Sequence, residues 1–319
     1  MQKRILGNSG LTIAPLVFGG NVFGWTIDEK ASFAVLDAFV DHGFDTIDTA
    51  DVYSRWKPGN AGGESETLIG RWLAARPGMR ERVKIFTKVG SDMGAGKGLS
   101  AAWIETAVEA SLRRLGVAEI DLYFSHWPDP EVTHEETLGA YARLLKAGKI
   151  RAIGASNYDA ALLAEALAAS GAQGLPRYSV LQPEYNLYDR DAFEGPLAEL
   201  CRRENIGVVT YFSLASGFLS GKYRSTEDLM GKARSERLGK YMNPRGMAVL
   251  DALDHVAGGH NVLPAEVALA WLMAKPAVTA PIASATSPAQ VESFARAAAL
   301  RLSAEDIAEL DRAGAALAV

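Results

Sequence analysis

The chain has 319 residues, 48% of them apolar and 22% charged, with a net charge of −5, values that describe a folded protein with a large core and exclude a disordered one. No Lys/Arg run exceeds two residues, so the basic footprint of a nucleic-acid or anionic-membrane binder is missing and small-molecule chemistry is the better expectation. The opening MQKRILGNSGLTIAPL lacks an apolar signal region, no later stretch is apolar for long enough to span a bilayer, and the single cysteine, Cys201, excludes an internal disulfide, so a cytoplasmic protein is expected with Cys201 in a helix core.

In chain order, KRILGNSGLTIAP reads as a short hairpin turning at Asn8-Ser9-Gly10, suited to plugging the bottom of a barrel. From there on, β-branched or apolar runs alternate with Ala/Leu-rich segments of helical period. Strands are expected at LVFGG (16–20), FDTID (44–48), KIFTK (84–88), DLYFSH (121–126), RAIGAS (151–156), SVLQP (179–183), GVVTYF (207–212) and APIAS (280–284). Helices are expected around 29–42, 64–76, 100–115, 134–147, 159–169, 191–204, 264–275 and 288–299. Eight strands with eight helices predict an α/β protein, a (β/α)8 TIM barrel, and the lack of any linker predicts one domain over 1–319. The connection 214–262 after the seventh strand is too long for a simple turn, carries the helix-like PRGMAVLDALDHVA, and is expected to act as a lid or clamp. SAEDIAELDRAGA opens with a capping signature and predicts an extra C-terminal helix.

Polar groups end nearly every expected strand: Asp48 with nearby Tyr53, Lys88, His126, Ser156 with Asn157, Gln182, Tyr211 and Ser284. In a (β/α)8 barrel the strand C-termini form one mouth, where the active site lies. Taken singly, each of these residues reads as a helix cap, a snorkelling lysine, a core histidine or a wall aromatic; their joint placement points to chemistry. A tyrosine ionises near ~10, too high for easy acid–base work, and a neighbouring ammonium lowers that value. Lys88 is placed to do so, with Asp48 on the adjacent strand as its counter-charge, while His126 is suited to orient a carbonyl oxygen or assist proton transfer. The expected site protonates an oxyanion and has no activated nucleophile.

Other motifs weigh less. The run Asp45, Asp48, Asp51 suggests a metal hydrolase, but Asp45 is expected inside its strand and no histidine set accompanies it, so no metal is expected. GAGKG (94–98) fails the phosphate-loop spacing, with Ser91 and Gly98 where Gly and Ser/Thr are required, and no GxGxxG occurs.

With these residues in place, the sequence resembles the aldo-keto reductases, nicotinamide-dependent carbonyl reductases built on a (β/α)8 barrel. Asp48-Thr49-Ala50-Asp51-Val52-Tyr53, Lys88 in IFTKVG and His126 in FSHWPDP match that family's tetrad, and the resemblance covers nearly the whole chain. It implies that Tyr53 donates the proton, that Lys88 and Asp48 tune it, and that His126 positions the carbonyl. It further implies that Ser156, Asn157 and Gln182 contact the nicotinamide carboxamide, that Tyr211 stacks on the ring, and that Gly20 and Asn21 lie beside them. YFSLASGFLSGKY resembles the family's pyrophosphate loop, implicating Phe212, Ser213, Leu214, Ser216, Gly217 and Lys222, with Lys232 or Arg234 closing over the cofactor. SATSPAQ resembles its adenosine-phosphate segment, implicating Ser284, Thr286 and Gln290. The implied cofactor is NADPH, with NADH possible. Two departures stand out: Phe212-Ser213-Leu214 replaces the usual Ser-Pro-Leu, and Ser293-Phe294 replaces a frequent Glu-Asn.

Trp25, Trp56 and Trp127 follow expected strands one, two and four and are candidate walls of a substrate pocket for aromatic aldehydes, cyclic ketones or a sugar face. The insert SRWKPGNAGG (54–63) is expected to help set selectivity. Two alternatives share the barrel: a sugar or alcohol dehydrogenase running oxidatively, and a cofactor-binding regulatory subunit with little turnover.

Overall fold

The structure, a computed structural model, describes residues 1–230 and 235–315. β1 (Arg4–Ile5) and β2 (Thr12–Ile13) form an antiparallel hairpin with Arg4 opposite Ile13. Eight parallel strands then close into a barrel: β3 (Val17–Gly19), β4 (Thr46–Asp48), β5 (Lys84–Val89), β6 (Leu122–Ser125), β7 (Ile153–Ser156), β8 (Val180–Gln182), β9 (Gly207–Thr210) and β10 (Ala280–Ala283). β10 pairs with both β3 and β9, which removes every sheet edge. The chain is therefore a (β/α)8 TIM barrel, as the alternation of elements predicts.

The surrounding helices are α1 (Glu29–Asp41), α2 (Glu64–Ala74), α3 (Met79–Arg82), α4 (Ala101–Leu115), α5 (His134–Lys146), α6 (Ala160–Gln173) and α7 (Pro196–Arg203). The long connection holds α8 (Ser235–Leu238) and α9 (Pro244–His260), followed by α10 (Pro264–Ala274), α11 (Pro288–Ala299) and the extra C-terminal α12 (Ala304–Gly314). Starts are fixed locally: Asp28, Ser100, Thr133, Asp159 and Ser303 each accept a backbone N–H of the first turn of the helix that follows. The seventh helix begins later than its expected 191, because Pro196 occupies the first turn and Gly195 before it sits at φ 84°, ψ −127°.

Two apolar layers result. Val17, Phe86, Leu122, Phe124, Ala152, Val180, Val209, Ala280 and Ile282 fill the barrel interior together with Leu6, Leu11 and Ile13 of the hairpin. Their strand neighbours Phe18, Ile47, Ile85, Tyr123, Ile153, Leu181 and Val208 face the helices. The hairpin thus closes the lower end of the barrel, and its turn approaches so closely that a Cβ on Gly7 (φ 54°) would lie 2.1 Å from the Gly207 nitrogen.

Asp45 lies just before β4 and not inside it, at the end opposite Asp48. Its buried carboxylate accepts from the Ala14 N–H, pairs with Lys84 and Lys3 at 2.9 Å each, and ties the hairpin exit to two strands. This explains the first member of the acidic run as a brace of the closed end. Cys201 is buried in α7 with its thiol pushed up to about 12 by desolvation, which agrees with a core role. Asp45→Ala should cost about 2 kcal/mol, since it strands a partly buried ammonium and an amide; urea unfolding that finds no loss would refute the brace.

Candidate functional site at the open end of the barrel

Side chains alternate across a strand, so whatever follows an inward apolar residue by two positions also points inward. Phe86 is followed by Lys88, Phe124 by His126, Val180 by Gln182, Val209 by Tyr211, and Ile282 by Ser284. On β7 the inward sequence is Ala152, Gly154, Ser156; a Cβ on Gly154 would lie 2.4 Å from the Phe124 ring, so glycine makes room for it. The expected strand-end residues therefore converge because they share one parity.

At the centre Lys88 is fully buried and all three of its N–H bonds have acceptors: Asp48 Oδ2 at 2.7 Å, the Thr49 carbonyl at 2.7 Å and Tyr53 Oη at 2.9 Å. Asp48 accepts in addition from Gln182 Nε2 at 2.8 Å. Tyr53 is half-buried, and its ring and the His126 imidazole lie 6.1 Å apart, edge to face. The tetrad is one assembled group. Burial raises the Asp48 carboxyl and lowers the Lys88 ammonium, each opposed by the other's charge. Burial likewise holds the His126 imidazolium well below its ordinary value, helped by the Lys88 charge, so the ring is neutral.

The Tyr53 phenol departs from expectation. Desolvation and then the Asp48 carboxylate push it well above the ordinary tyrosine value despite the ammonium beside it. The phenol therefore stays protonated at neutral pH, with a proton that it could donate.

Behind the barrel wall lies a second set of charges. Thr87, which points outward, meets Glu66 of α2 and through it Arg114 of α4: Glu66 accepts from Thr87 Oγ1 and Arg114 Nε at 2.6 Å each. Asp51 is 1% exposed, and neither of its carboxylate oxygens has a hydrogen-bonded donor among the described residues. Desolvation and the Glu66 charge raise its carboxyl well above the ordinary value, opposed in part by the Arg114 and Lys88 charges. Among the described residues no group of three or more His, Cys, Asp or Glu side chains is placed to hold a metal ion.

The other expected contacts fall into clusters. Ser156 Oγ donates to the Gln182 carbonyl (2.9 Å), Asn157 Nδ2 donates to the His126 carbonyl (2.8 Å), and Tyr211 Oη donates to Asn157 Oδ1 (2.6 Å). Gly20 is fixed by a chain from Thr49 Oγ1 through Ser65 Oγ to its own carbonyl, and Ser284 Oγ donates to Asn21 Oδ1 at 2.6 Å. Thr286 donates its N–H to Gln290 Oε1 at 2.7 Å on the exposed edge. Ser293, by contrast, turns inward to Glu266.

After β9 the backbone adopts left-handed conformations at Phe212, Ala215, Ser216 and Gly217, a turn in which successive N–H groups can face an anion. Ser213 Oγ bonds back to the Thr210 carbonyl, and Leu214 leads into the turn. Lys222 lies beside Gly217, over the Tyr223 ring, and makes no ion pair among the described residues. Lys232 and Arg234 lie outside the described residues. The cation that the sequence reading missed is Arg237, whose guanidinium sits 4.8 Å from the Phe212 ring centre; only the folded connection brings α8 there.

The three tryptophans extend the tetrad outward as a chain of rings. Trp25 meets Trp56 at 5.6 Å, Trp56 meets Tyr53 at 5.8 Å, and His126 stacks on Trp127 at 6.0 Å and 19°. Trp56 and Trp127 remain about half exposed. The 54–63 insert is hooked to the loop after β3 by Ser54 Oγ on the Phe23 carbonyl and Asn60 Nδ2 on the Gly24 carbonyl, which sets Trp56 against Trp25.

A closed parallel barrel whose open end gathers tyrosine, lysine, aspartate and histidine defines a class, and nearly the whole chain agrees with it: residues 15–315 match the Aldo/keto reductase family, to which this protein belongs. It is 31% identical over 337 residues to Protein tas of Escherichia coli (98% of this chain, 97% of that protein). It is 32% identical over 307 residues to the aldo-keto reductase YhdN of Bacillus subtilis (93% and 87%). A probable voltage-gated potassium channel subunit beta of Arabidopsis thaliana is 32% identical over 305 residues (92% and 89%). Family membership makes the protein an oxidoreductase of the kind that generally uses NAD(P)H.

A carboxyl raised by folding contributes stability that is full below its unfolded pKa, near ~4, and is lost as pH rises toward the folded value. Asp51→Asn removes that loss. The variant should melt above the wild type by a margin that widens from pH 5 to pH 8, reaching roughly 2–4 °C; a margin independent of pH would contradict an ionisation penalty at Asp51.

Proposed function

We propose that the protein reduces aldehydes or ketones to alcohols with a nicotinamide dinucleotide, NADPH in preference to NADH, as one cytoplasmic domain spanning the chain. The observation that carries this reading is the Lys88 ammonium held on the Tyr53 hydroxyl by Asp48 and the Thr49 carbonyl. When bound, the dinucleotide supplies a hydride to the carbonyl carbon. Tyr53 Oη gives its proton to the carbonyl oxygen, Lys88 stabilises the phenolate left behind, and Asp48 keeps Lys88 aimed. Neutral His126 orients the carbonyl oxygen through its ring nitrogen.

The residues present suit such a cofactor. Ser156, Asn157, Gln182 and the Tyr211 ring, with Gly20 and Asn21 nearby, would hold the nicotinamide end. The turn through Phe212, Ser213, Leu214, Ser216 and Gly217, with Lys222, which makes no ion pair among the described residues, would take the pyrophosphate. Ser284, Thr286 and Gln290 would take the adenosine ribose and its phosphate, and Arg237 is a further cation for the phosphates.

For the substrate, the chain Trp25, Trp56, Tyr53, His126, Trp127 offers flat apolar faces around one proton donor, which favours a carbonyl carried on an aromatic, cyclic or sugar-like body. The similarity to a channel subunit beta keeps a second reading in view, a cofactor-binding subunit with little turnover; His126 beside the other three favours an enzyme.

Loss of NADPH absorbance with a panel of aldehydes and cyclic ketones tests the proposal. Tyr53→Phe should lower turnover at least about a hundredfold, and undiminished activity in that variant would remove Tyr53 as donor. Tight NADPH binding without turnover on any carbonyl would favour the subunit reading. Lys222→Ala should weaken NADPH binding about tenfold, on the order of one charge-assisted contact, and an unchanged affinity in a binding titration would place the phosphates elsewhere.

A further inference from the structure

We propose that Ser91 is a positioning residue that fixes the tautomer of His126, holding its Nε2 as the protonated nitrogen available to a carbonyl oxygen. This rests on the carbonyl-reducing role given above to His126.

The geometry begins in the backbone. β5 and β6 pair through Val89 and Ser125, and the ladder runs one step further, with the His126 N–H donating to the Val89 carbonyl at 2.8 Å. Gly90 follows at φ 122°, a conformation that side chains rarely adopt, and its carbonyl accepts from Gly98 N–H at 2.9 Å. That turn directs Ser91 back toward the histidine that the ladder has just placed. Ser91 Oγ then lies 3.1 Å from His126 Nδ1.

One backbone contact and two ring contacts support this placement. Asn157 Nδ2 holds the His126 carbonyl, the Trp127 ring stacks on the imidazole, and the Tyr53 ring stands against its edge. A neutral imidazole carries one proton, and the partner of one nitrogen decides which nitrogen has it. A serine hydroxyl can donate or accept, but among the described residues His126 Nδ1 is the acceptor that Ser91 Oγ reaches, so only donation to the ring uses the hydroxyl proton within the protein. Donation from Ser91 makes Nδ1 the acceptor and puts the ring proton on Nε2. A carbonyl oxygen can only accept, so the opposite tautomer would present it with a lone pair. Burial and Lys88, which keep the ring neutral, are what make the choice of tautomer matter.

The test is a ¹⁵N–¹H long-range correlation spectrum of ¹⁵N-histidine-labelled protein, with His126 assigned by comparison with His126→Asn. Wild type should show His126 with Nε2 protonated and Nδ1 bare. Ser91→Ala should give a mixture of tautomers and lower kcat for aldehyde reduction about tenfold with KM changed less than about twofold, while Ser91→Thr, which keeps the hydroxyl, should restore both. Wild-type His126 protonated on Nδ1, or a tautomer that does not change in Ser91→Ala, would overturn the proposal. The spectra need no turnover, so they decide the part of Ser91 even in a protein that reduces no carbonyl, an outcome that would instead remove the function proposed above.

Discussion

The open end of this barrel is organised around one desolvated ammonium. Lys88 has no water to turn to, so each of its protons must find an acceptor in the protein, and the three it finds come from one short segment, Asp48, Thr49 and Tyr53. That requirement fixes the path of the chain as it leaves β4. It also aligns the Thr49 carbonyl, whose own side chain links through Ser65 to Gly20, so the floor of the site on the β3 side depends on the same charge. Asp48 passes the constraint on in the other direction, to Gln182 on β8. An arrangement spanning half the barrel follows from the need to satisfy one cation.

Much of this could be read in the sequence, because both the strand–helix alternation and the polar strand endings are one-dimensional signals. The parity that brings the endings together was less visible. Both faces of these strands are buried, so they read as continuous apolar runs and not as an alternation, and only the closed barrel separates Phe86 and Lys88 from Ile85 and Thr87. Asp45 was misplaced for the same reason: a charged residue in an apolar run looks like part of the strand, when it is the brace beneath it. Local turn chemistry decided the late start of α7, which an Ala/Leu count does not weigh.

What the sequence could not carry were partners distant along the chain. Ser91 sits three residues beyond Lys88 in a glycine-rich stretch, and nothing in its neighbourhood announces a histidine 35 positions away. Arg237 belongs to a connection whose course no periodicity predicts. The direction of the Tyr53 shift is not legible in a pairwise view that sets the ammonium against the phenol, because burial acts on the phenol from all sides and the Asp48 carboxylate also stands 3.5 Å from its oxygen.

The hairpin beneath the barrel has a consequence for traffic. With Leu6, Leu11 and Ile13 packed into one end, the strand C-termini are the end left for ligands, and any two that lie one above the other there would share one approach. The deeper one would then arrive before the other and depart after it. A blind-ended vessel of this kind turns the vertical position of a molecule into its place in time, with no moving part needed to enforce the sequence.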